Sequence, residues 1–426
     1  MNSDPPLKPP GSPIAAILRG GSLLFSIRVV AQLSRLVYIV LVVRALGPDR
    51  YGILAYVQAW GIVFLPLINM GSQTLLSRSF GHSMARGRDI AQRLWTLRML
   101  LMPAVLCLLI AISVAIEPDS EIRPLFLIVG LALAGRGFAV WCNHVLVANR
   151  RTRQVLFIEV TFRLGELIAA LVVLYLGASV AGLLAVHAVG WWVQALFSSL
   201  WVSREIVRPA WHWQQLKAIS LLKQSVTVMV CGLSLAGLLQ GPLMLGRHLL
   251  EKGETLGQFA LVMQMLQVLV ALPNSIGIVA LTFLAGSSAR ATGKLYINRM
   301  VPLSIVAVII LALASALLSY PVLVLVFGAE YGSAAPLLTL GLLVLVLPLA
   351  PVTLLSHAVF ASTEPDMLRK AALAALAGLA AGILATCTLW LQHPAVESLL
   401  VGAGSGAFLW LFLLILIHRR VSRAIP

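Results

Sequence analysis

Apolar stretches of about 20 residues recur along this chain, and they constrain its fold more than any other feature. A stretch of that length crosses the hydrocarbon core of a bilayer as a helix. The stretches number twelve, six before and six after a basic segment near residue 210. Their ranges are 21–45, 53–76, 95–116, 124–148, 155–176, 181–203, 224–248, 257–281, 300–320, 336–358, 370–391 and 399–418. The sequence therefore predicts an all-α integral membrane protein.

Composition supports this class and excludes two others. The chain is 60% hydrophobic and 11% charged, whereas about a quarter of the residues of soluble proteins are charged. Its net charge of +16 would suggest a nucleic-acid binder in a soluble protein, but here the positive residues lie between apolar stretches. All four cysteines lie inside apolar stretches, which argues against a secreted disulfide scaffold. Neither a metal site nor a cofactor is expected, because His144 and His187 have no carboxylate or cysteine at ligand spacing.

The distribution of basic residues predicts the orientation. With the N-terminus in the cytoplasm, 21 Lys and Arg residues fall in cytoplasmic loops and tails, and five fall outside or at outer helix ends. This bias predicts a multi-pass protein of the cell inner (cytoplasmic) membrane with both termini in the cytoplasm. The predicted parts are a polar tail (1–20), a six-helix bundle (21–203), a basic cytoplasmic linker (204–223), a second six-helix bundle (224–418) and a basic tail (419–426).

The two halves carry an internal repeat. A shift of 205 residues makes nine residues of the segment 51–83, which contains the second span, coincide with residues of the segment that contains the eighth, among them Gly52 with Gly257 and Asn69 with Asn274. Each half contains an even number of spans, so the two copies have the same orientation in the membrane. The repeat therefore predicts two bundles related by an axis along the membrane normal, with a binding cleft between them.

Three segments resemble a known family. They are LGPDRYGILAYVQAWGIVFLPLINMGSQTLLSRSFG (46–81), LLEKGETLGQFALVMQM (249–265) and FGAEYGSAAPLLTLGLL (327–343). They are similar to segments of the polysaccharide exporter branch of the MOP (MATE-like) flippase superfamily, which includes O-antigen (Wzx-type) flippases. The resemblance implies a V-shaped fold of about twelve helices that moves an isoprenoid-diphosphate-linked oligosaccharide from the cytoplasmic to the outer leaflet. It also implies membrane lipid, a polysaccharide polymerase and chain-length proteins as partners.

Two departures from the family pattern bear on the substrate. Many relatives carry an acidic residue midway along the seventh helix, whereas this chain has Gln240 and Pro242 there. Peptidoglycan-precursor flippases of the superfamily typically have fourteen helices, whereas this chain has twelve apolar stretches. Both departures favour an accessory polysaccharide, such as O-antigen or exopolysaccharide, over an essential cell-wall precursor.

Arginines inside the spans mark the candidate substrate site. An arginine at the centre of a membrane helix costs about 2.5–3.5 kcal/mol even on lenient scales, so such residues face a cavity or a partner. Guanidinium groups bind phosphate oxygens bidentately, which suits a diphosphate. The candidates are Arg28, Arg35, Arg98, Arg136 and Arg163, all in the first bundle. Arg35 and Arg136 lie deepest, whereas Arg28 and Arg98 are close enough to helix ends to reach the interface by snorkelling.

The charged trio in the fifth span has two interpretations. Arg163 lies four residues after Glu159 and three before Glu166, on one helix face, so the three side chains can neutralise one another. Alternatively, Glu159 or Glu166 is a coupling site for a proton or a sodium ion.

Uncharged polar and aromatic residues leave further alternatives open. Six amide side chains could bond sugar hydroxyls, although hydrogen bonds between neighbouring helices are the favoured interpretation. They are Asn69, Asn274, Gln58, Gln240, Gln264 and Gln267. Tryptophans near helix ends are typical of an interfacial belt, with sugar stacking as the less favoured interpretation. These tryptophans are Trp141, Trp191, Trp192, Trp201, Trp211 and Trp213.

The sequence thus predicts a flippase for lipid-linked oligosaccharide that works by alternating access, and not an enzyme. The chain carries no Walker motif, nucleophile elbow or metal signature. One rival is a MATE-type multidrug or cation antiporter, which needs carboxylates in its cavity. The other is a membrane glycosyltransferase or polymerase, which generally needs a large loop or catalytic carboxylates.

Overall fold

The computed structural model of the protein describes residues 13–149, 151–177, 179–211, 218–250, 253–284, 289–361 and 365–424. These residues form helices joined by short connections. The helices are α1 (Pro13–Asn69), α2 (Ser72–His82), α3 (Met84–Ile116), α4 (Arg123–Ala148), α5 (Thr152–Tyr175), α6 (Val180–Glu205), α7 (Ala218–Leu249), α8 (Gly253–Leu284), α9 (Ala289–Phe327), α10 (Ala335–Gly341), α11 (Leu347–Ala361), α12 (Pro365–Gln392) and α13 (Val396–Ala424). The predicted tails and linker lie partly outside the described residues.

Helix α1 contains two membrane crossings. Its helical backbone is interrupted at Gly47, whose φ of 70° lies in the left-handed region that glycine adopts without strain. Gln32 and Asn69 line the same cavity, although a straight helix would place them about 55 Å apart. The chain therefore doubles back at Gly47 and crosses the membrane a second time.

The described residues contain ten helical stretches that are long and apolar enough to span a membrane. One of these stretches holds both crossings of α1. Helix α5 is also long enough, with 24 residues, but charged side chains in its middle reduce its apolar character. The ten stretches provide ten crossings. The second crossing within α1 and the crossing by α5 bring the total to the twelve that the sequence predicts.

The crossings form two bundles, α1–α6 and α7–α13. In the first bundle α4 and α5 pack against α6, and in the second α12 packs against α13 and α8 against α11. The tenth crossing begins after a 3₁₀ turn at Ala329–Ala334, and a short π-helical segment, Leu342–Val346, joins its two α-helical parts. The all-α membrane fold with two bundles is thus confirmed.

The two ends of the bundles differ in charge. We call one end the basic face, where the loops beside Arg86, Arg151, Arg208 and Lys370 lie. The other end is the acidic face, where Glu117, Asp119, Glu121, Glu254 and Glu330 lie. The α1 turn at Gly47 lies at the acidic face, because α1 runs toward it from the basic face.

The bundles share one apolar core near the acidic face. This core includes Tyr56 and Phe126 of the first bundle and Phe259 of the second, all 0% exposed. A Cβ atom on Gly52 would lie 2.9 Å from the backbone nitrogen of Gly257, and one on Gly257 would overlap the carbonyl oxygen of Pro48. Only glycine permits backbones to approach so closely. Gly52 and Gly257, which coincide in the sequence repeat, therefore meet where the bundles join.

Polar contacts reinforce this junction. Arg247 of α7 lies 3.1 Å from the carboxylate of Glu117 and 3.6 Å from that of Asp119, both at the end of the first bundle. His248 Nε2 lies 3.3 Å from the hydroxyl of Tyr56. The ion pair and the glycine contact together close the bundles at the acidic face.

Toward the basic face, the first bundle has a core of its own, built from α2 to α6. Trp141 belongs to that core: it is 0% exposed, and its ring centroid lies 4.8 Å from that of Trp95. Its assignment to an interfacial belt is wrong, because the polar atom Nε1 donates to the backbone oxygen of Ala91. The bundles also meet on the basic side, where Met70 and Leu97 of the first pack with Leu221 of the second, and Arg78 donates to the backbone oxygen of Phe360.

Candidate substrate-binding cavity

A cavity of about 470 Å³ lies between the bundles, within the range of small-molecule sites. Its walls come from α1, α4, α5 and α6 of the first bundle and α8 of the second. Its polar lining residues include Gln32, Arg35, Gln58, Asn69, Arg136, Asn143, Glu159, Arg163, Glu166, His187, Gln264 and Asn274. Seven of the nine residues predicted for the site are among them.

Arg35 of α1 is held by the opposite bundle. Its guanidinium donates to the side-chain oxygens of Gln264, at 2.6 Å, and Gln267, at 2.8 Å, one turn apart on α8. These two glutamines therefore form hydrogen bonds between helices, as the favoured interpretation predicted. An amide oxygen carries no formal charge, so both hydrogen bonds leave the positive charge of Arg35 without a counter-charge.

Arg136 of α4 is less engaged. Its Nε is buried and has no hydrogen-bond partner within the described part of the chain. Its guanidinium carbon lies 5.2 Å from the centroid of the Trp191 ring, within the range of a cation–π contact. A cation–π contact orients a guanidinium but leaves its N–H donors available.

Arg163 of α5 is neutralised by its own helix. It forms an ion pair and a hydrogen bond with Glu166, lies 3.9 Å from Glu159, and donates to the side-chain oxygen of Gln194 at 2.9 Å. The prediction that Arg163, Glu159 and Glu166 pair with one another is therefore confirmed. The coupling role of Glu159 and Glu166 stays a prediction.

His187 and Trp191 complete this cluster from α6. Trp191 Nε1 donates to His187 Nε2 at 3.1 Å, so this nitrogen carries a lone pair and Nδ1 carries the proton. His187 Nδ1 lies against the Glu166 carboxylate and donates to it. The Trp191 ring also faces Arg163, whose guanidinium carbon is 4.0 Å from the ring centroid. Trp191 is 7% exposed, so its assignment to an interfacial belt is wrong.

The charge balance of the cavity follows from these contacts. Three arginines and two glutamates line it, which leaves one formal positive charge in excess. Both carboxylates form their ion pairs with Arg163, so Arg35 and Arg136 form no ion pair in the described part of the cavity. The cavity is therefore suited to an anionic group.

Two predicted arginines are not placed in the cavity. Arg98 is 1% exposed and donates to the backbone oxygens of Ile68 and Gly137, at 3.2 and 2.7 Å, and to Ser72 Oγ at 3.3 Å. Both predictions for Arg98 are thus wrong: it neither binds substrate nor reaches the interface, because its donors hold α1, α2 and α4 together. The side chain of Arg28 lies outside the described residues.

Asn69 and Asn274 line the cavity from opposite bundles, as the repeat places them. Gln240 stands where many relatives have an acidic residue. It is buried and is not among the residues that line the cavity. Among the described residues, no cluster of three or more His, Cys, Asp or Glu side chains could hold a metal ion.

The polar residues that α6 contributes to the cavity and its charged cluster were not predicted as site residues from the sequence. His187, Trp191 and Gln194 are spaced by four and three residues, which places them on one helix face. A polar face on an otherwise apolar membrane helix is the signal that would have identified them.

The fold and the cavity are those of a helical membrane protein with a polar cavity between two bundles. The sequence matches the family described as "Polysaccharide biosynthesis protein" over residues 17–282. The chain therefore belongs to this polysaccharide biosynthesis family. No curated protein matches the sequence at a significant level.

Solved structures show which fold this family member has. A multidrug resistance MATE family transporter of the MOP superfamily, in an outward-facing conformation, has a TM-score of 0.71 at 13% identity, covering 97% of both chains. A MOP superfamily transporter from Pyrococcus furiosus has a TM-score of 0.70 at 14% identity, covering 97% of this chain and 96% of its own. The Vibrio cholerae MATE transporter VcmN in the bent form has a TM-score of 0.66 at 14% identity, covering 96% and 98%. The chain thus has the MATE-like fold of MOP superfamily transporters.

Proposed function

We propose that the protein is a flippase that moves an isoprenoid-diphosphate-linked oligosaccharide across the cytoplasmic membrane by alternating access. The observation that carries this proposal is the pair Arg35 and Arg136, two cations that form no ion pair with a described residue and line a cavity between two bundles. Membership of a polysaccharide biosynthesis family supports a glycan-carrying substrate.

The two arginines suit a diphosphate in different ways. Arg136 retains free donors, and the planar guanidinium can bind two phosphate oxygens at once. Arg35 would exchange neutral amide acceptors on α8 for phosphate oxygens, because hydrogen bonds between ionised groups are about twice as strong as neutral ones. This exchange would release a contact between the bundles, so substrate binding would favour their rearrangement.

A cation antiporter of the MATE type is the second candidate. The solved MATE structures share the fold, and Glu159 and Glu166 provide carboxylates in the cavity. However, both carboxylates are paired with Arg163, and a cationic ligand would meet the excess positive charge of a cavity that also holds Arg35 and Arg136. A difference in polarity has a precedent in this fold, since the Pyrococcus furiosus transporter is described as having a "reverse polarity of binding pocket" that suggests a different function. The enzyme alternative, a glycosyltransferase or polymerase, gains no support from these contacts.

We further propose that the basic face is cytoplasmic. The structure would then be closed at the outer side, by the Gly52–Gly257 contact and the Arg247–Glu117 ion pair. Cysteines introduced at Ser120 on the acidic face and Ser83 on the basic face test this orientation. An impermeant thiol reagent should label position 120 and not position 83 in intact cells, and the reverse pattern would refute it.

The function is tested by restoring surface polysaccharide in a deletion strain of the native host. Arg35→Ala and Arg136→Ala should abolish polysaccharide export at normal protein levels, and the lysine variants should restore it only in part, because a point charge replaces a planar fork. Arg299→Ala is the matched control, since that arginine is exposed at the basic face. Full export by either cavity variant would remove that arginine from the site. Accumulation of lipid-linked oligosaccharide in the cytoplasmic leaflet would separate a transport defect from loss of the polymerase or chain-length partners.

A further inference from the structure

A second cavity, of about 250 Å³, adjoins the first on the basic side. The two cavities share the wall residues Asn69, Gln73, His144, Asn274 and Ile278. Most of the other wall residues of the second cavity belong to α7, α11 and α13 of the second bundle, and Pro66, Gly71, Ser72 and Thr74 of the first bundle complete it. Its volume lies below the roughly 300–1,000 Å³ of a complete small-molecule site, so it fits one part of a larger ligand.

The walls of the second cavity contain polar atoms that form no hydrogen bond to any described residue. These atoms are Asn69 Oδ1, Ser356 Oγ and Trp410 Nε1. Ser356 is 5% exposed and Trp410 is 1% exposed. Leaving a buried polar atom without a partner costs about 1–3 kcal/mol, and such atoms are rare unless a ligand or water satisfies them. The residues that carry these atoms belong to three helices, α1, α11 and α13, and all three residues line this one cavity.

The chemistry of this cavity differs from that of the first. None of its described wall residues is Arg, Lys, Asp or Glu. Apolar side chains such as Val228, Leu235 and Phe360 lie between the polar ones. A ligand that fits must therefore offer neutral hydrogen-bonding groups together with apolar C–H surface. A sugar ring has this combination, whereas an isoprenoid chain would leave the three polar atoms unsatisfied.

We propose that the second cavity binds the first sugar of the substrate glycan, while Arg35 and Arg136 bind its diphosphate. This inference rests on the proposed function and assigns a separate subsite within it. Asn69 and Asn274 lie where the cavities join, so a sugar attached directly to the diphosphate would reach the second cavity past them. Selectivity for the glycan would thus come from the second bundle, and affinity for the lipid diphosphate from the first.

The first test compares two probes on the full-length protein in nanodiscs: undecaprenyl diphosphate and the same lipid carrying one N-acetylglucosamine. The wild-type protein should bind the sugar-carrying lipid more tightly. Trp410→Phe and Ser356→Ala should each weaken its binding about three- to tenfold, the effect of one lost hydrogen bond, and leave binding of the bare lipid unchanged. Arg136→Ala should weaken binding of both lipids. Equal effects of Trp410→Phe on the two lipids, or equal wild-type affinities, would overturn the subsite.

A second readout uses a native residue and requires no substitution. Cys231 lines the second cavity and is 3% exposed, and Cys107, exposed elsewhere on the protein, is the internal control. Alkylation of Cys231, measured by peptide mass spectrometry, should slow in the presence of the sugar-carrying lipid and not of the bare lipid. Equal protection by both lipids, or by neither, would overturn the inference. If wild-type protein bound neither lipid, the proposed function itself would be refuted.

Discussion

Removing Arg163 alone should destabilise the protein strongly. In Arg163→Gln the carboxylate of Glu166, whose side chain is 9% exposed, loses its guanidinium partner. Two unit charges about 4 Å apart interact by about 4 kcal/mol at the effective dielectric constant of about 20 that suits protein sites. Loss of one member of a buried pair typically costs about 3–5 kcal/mol, because the other charge is left uncompensated. We therefore expect the free energy of unfolding to fall by about 3–5 kcal/mol.

Second-site changes identify which carboxylate causes this loss. Glu159 is 20% exposed, lies 3.9 Å from Arg163 and accepts a hydrogen bond of 2.6 Å from Asn143. It should therefore tolerate the loss of Arg163 better than Glu166 does. Adding Glu166→Gln to Arg163→Gln should restore more than half of the lost free energy of unfolding. The matched control, Glu159→Gln added to Arg163→Gln, should restore a smaller part of it.

The assay is equilibrium unfolding by SDS in mixed micelles, followed by tryptophan fluorescence. Equal rescue by the two glutamate changes, or a loss below about 1 kcal/mol, would refute the reasoning, since a solvated ion pair is worth no more than that.

Three further outcomes are expected. Gly257→Ala should prevent closure at the acidic face and abolish transport, whereas Gly241→Ala, where a Cβ meets no atom within 4 Å, should transport normally; equal activity would contradict the close-packing argument. Arg247→Ala should leave Glu117 unpaired and raise the labelling of outer cavity residues by impermeant reagents, and unchanged labelling would show that the ion pair does not hold the bundles. Trp191→Leu should weaken anion binding more than Trp191→Phe, because only Phe keeps a ring beside the arginines, worth about 0.5–2 kcal/mol.

Much of the fold could be predicted from the sequence because a bilayer permits few solutions. Backbone groups in hydrocarbon must bond within their own helix, so apolar length alone locates the crossings. Helix length and hydropathy alone merge the first two crossings into one stretch and omit α5. The break at Gly47 separates the first two crossings, and α5 is long enough to cross despite its charged residues. The repeat also anticipated that Gly52 would be equivalent to Gly257 and Asn69 to Asn274.

The site was less predictable because an intramembrane arginine has several ways to satisfy its donors. Arg35, Arg98 and Arg163 are alike in sequence, yet one bonds glutamines of the other bundle, one bonds backbone carbonyls and one pairs with carboxylates. These differences depend on which helices become neighbours, which local spacing does not determine. The same limit applies to Trp191, whose role depends on the packing of α6 against α4 and α5.

The measurement that tests the central claim most directly is ligand binding to the purified protein in nanodiscs. Undecaprenyl diphosphate and a lipophilic cation of the kind carried by multidrug transporters should be titrated against wild-type protein and Arg136→Gln. We predict that the diphosphate binds, that the cation does not compete, and that Arg136→Gln weakens diphosphate binding about tenfold or more, as expected when a charge-assisted hydrogen bond is lost. Binding of the cation that is unchanged or strengthened in Arg136→Gln, with no binding of the diphosphate, would contradict the account.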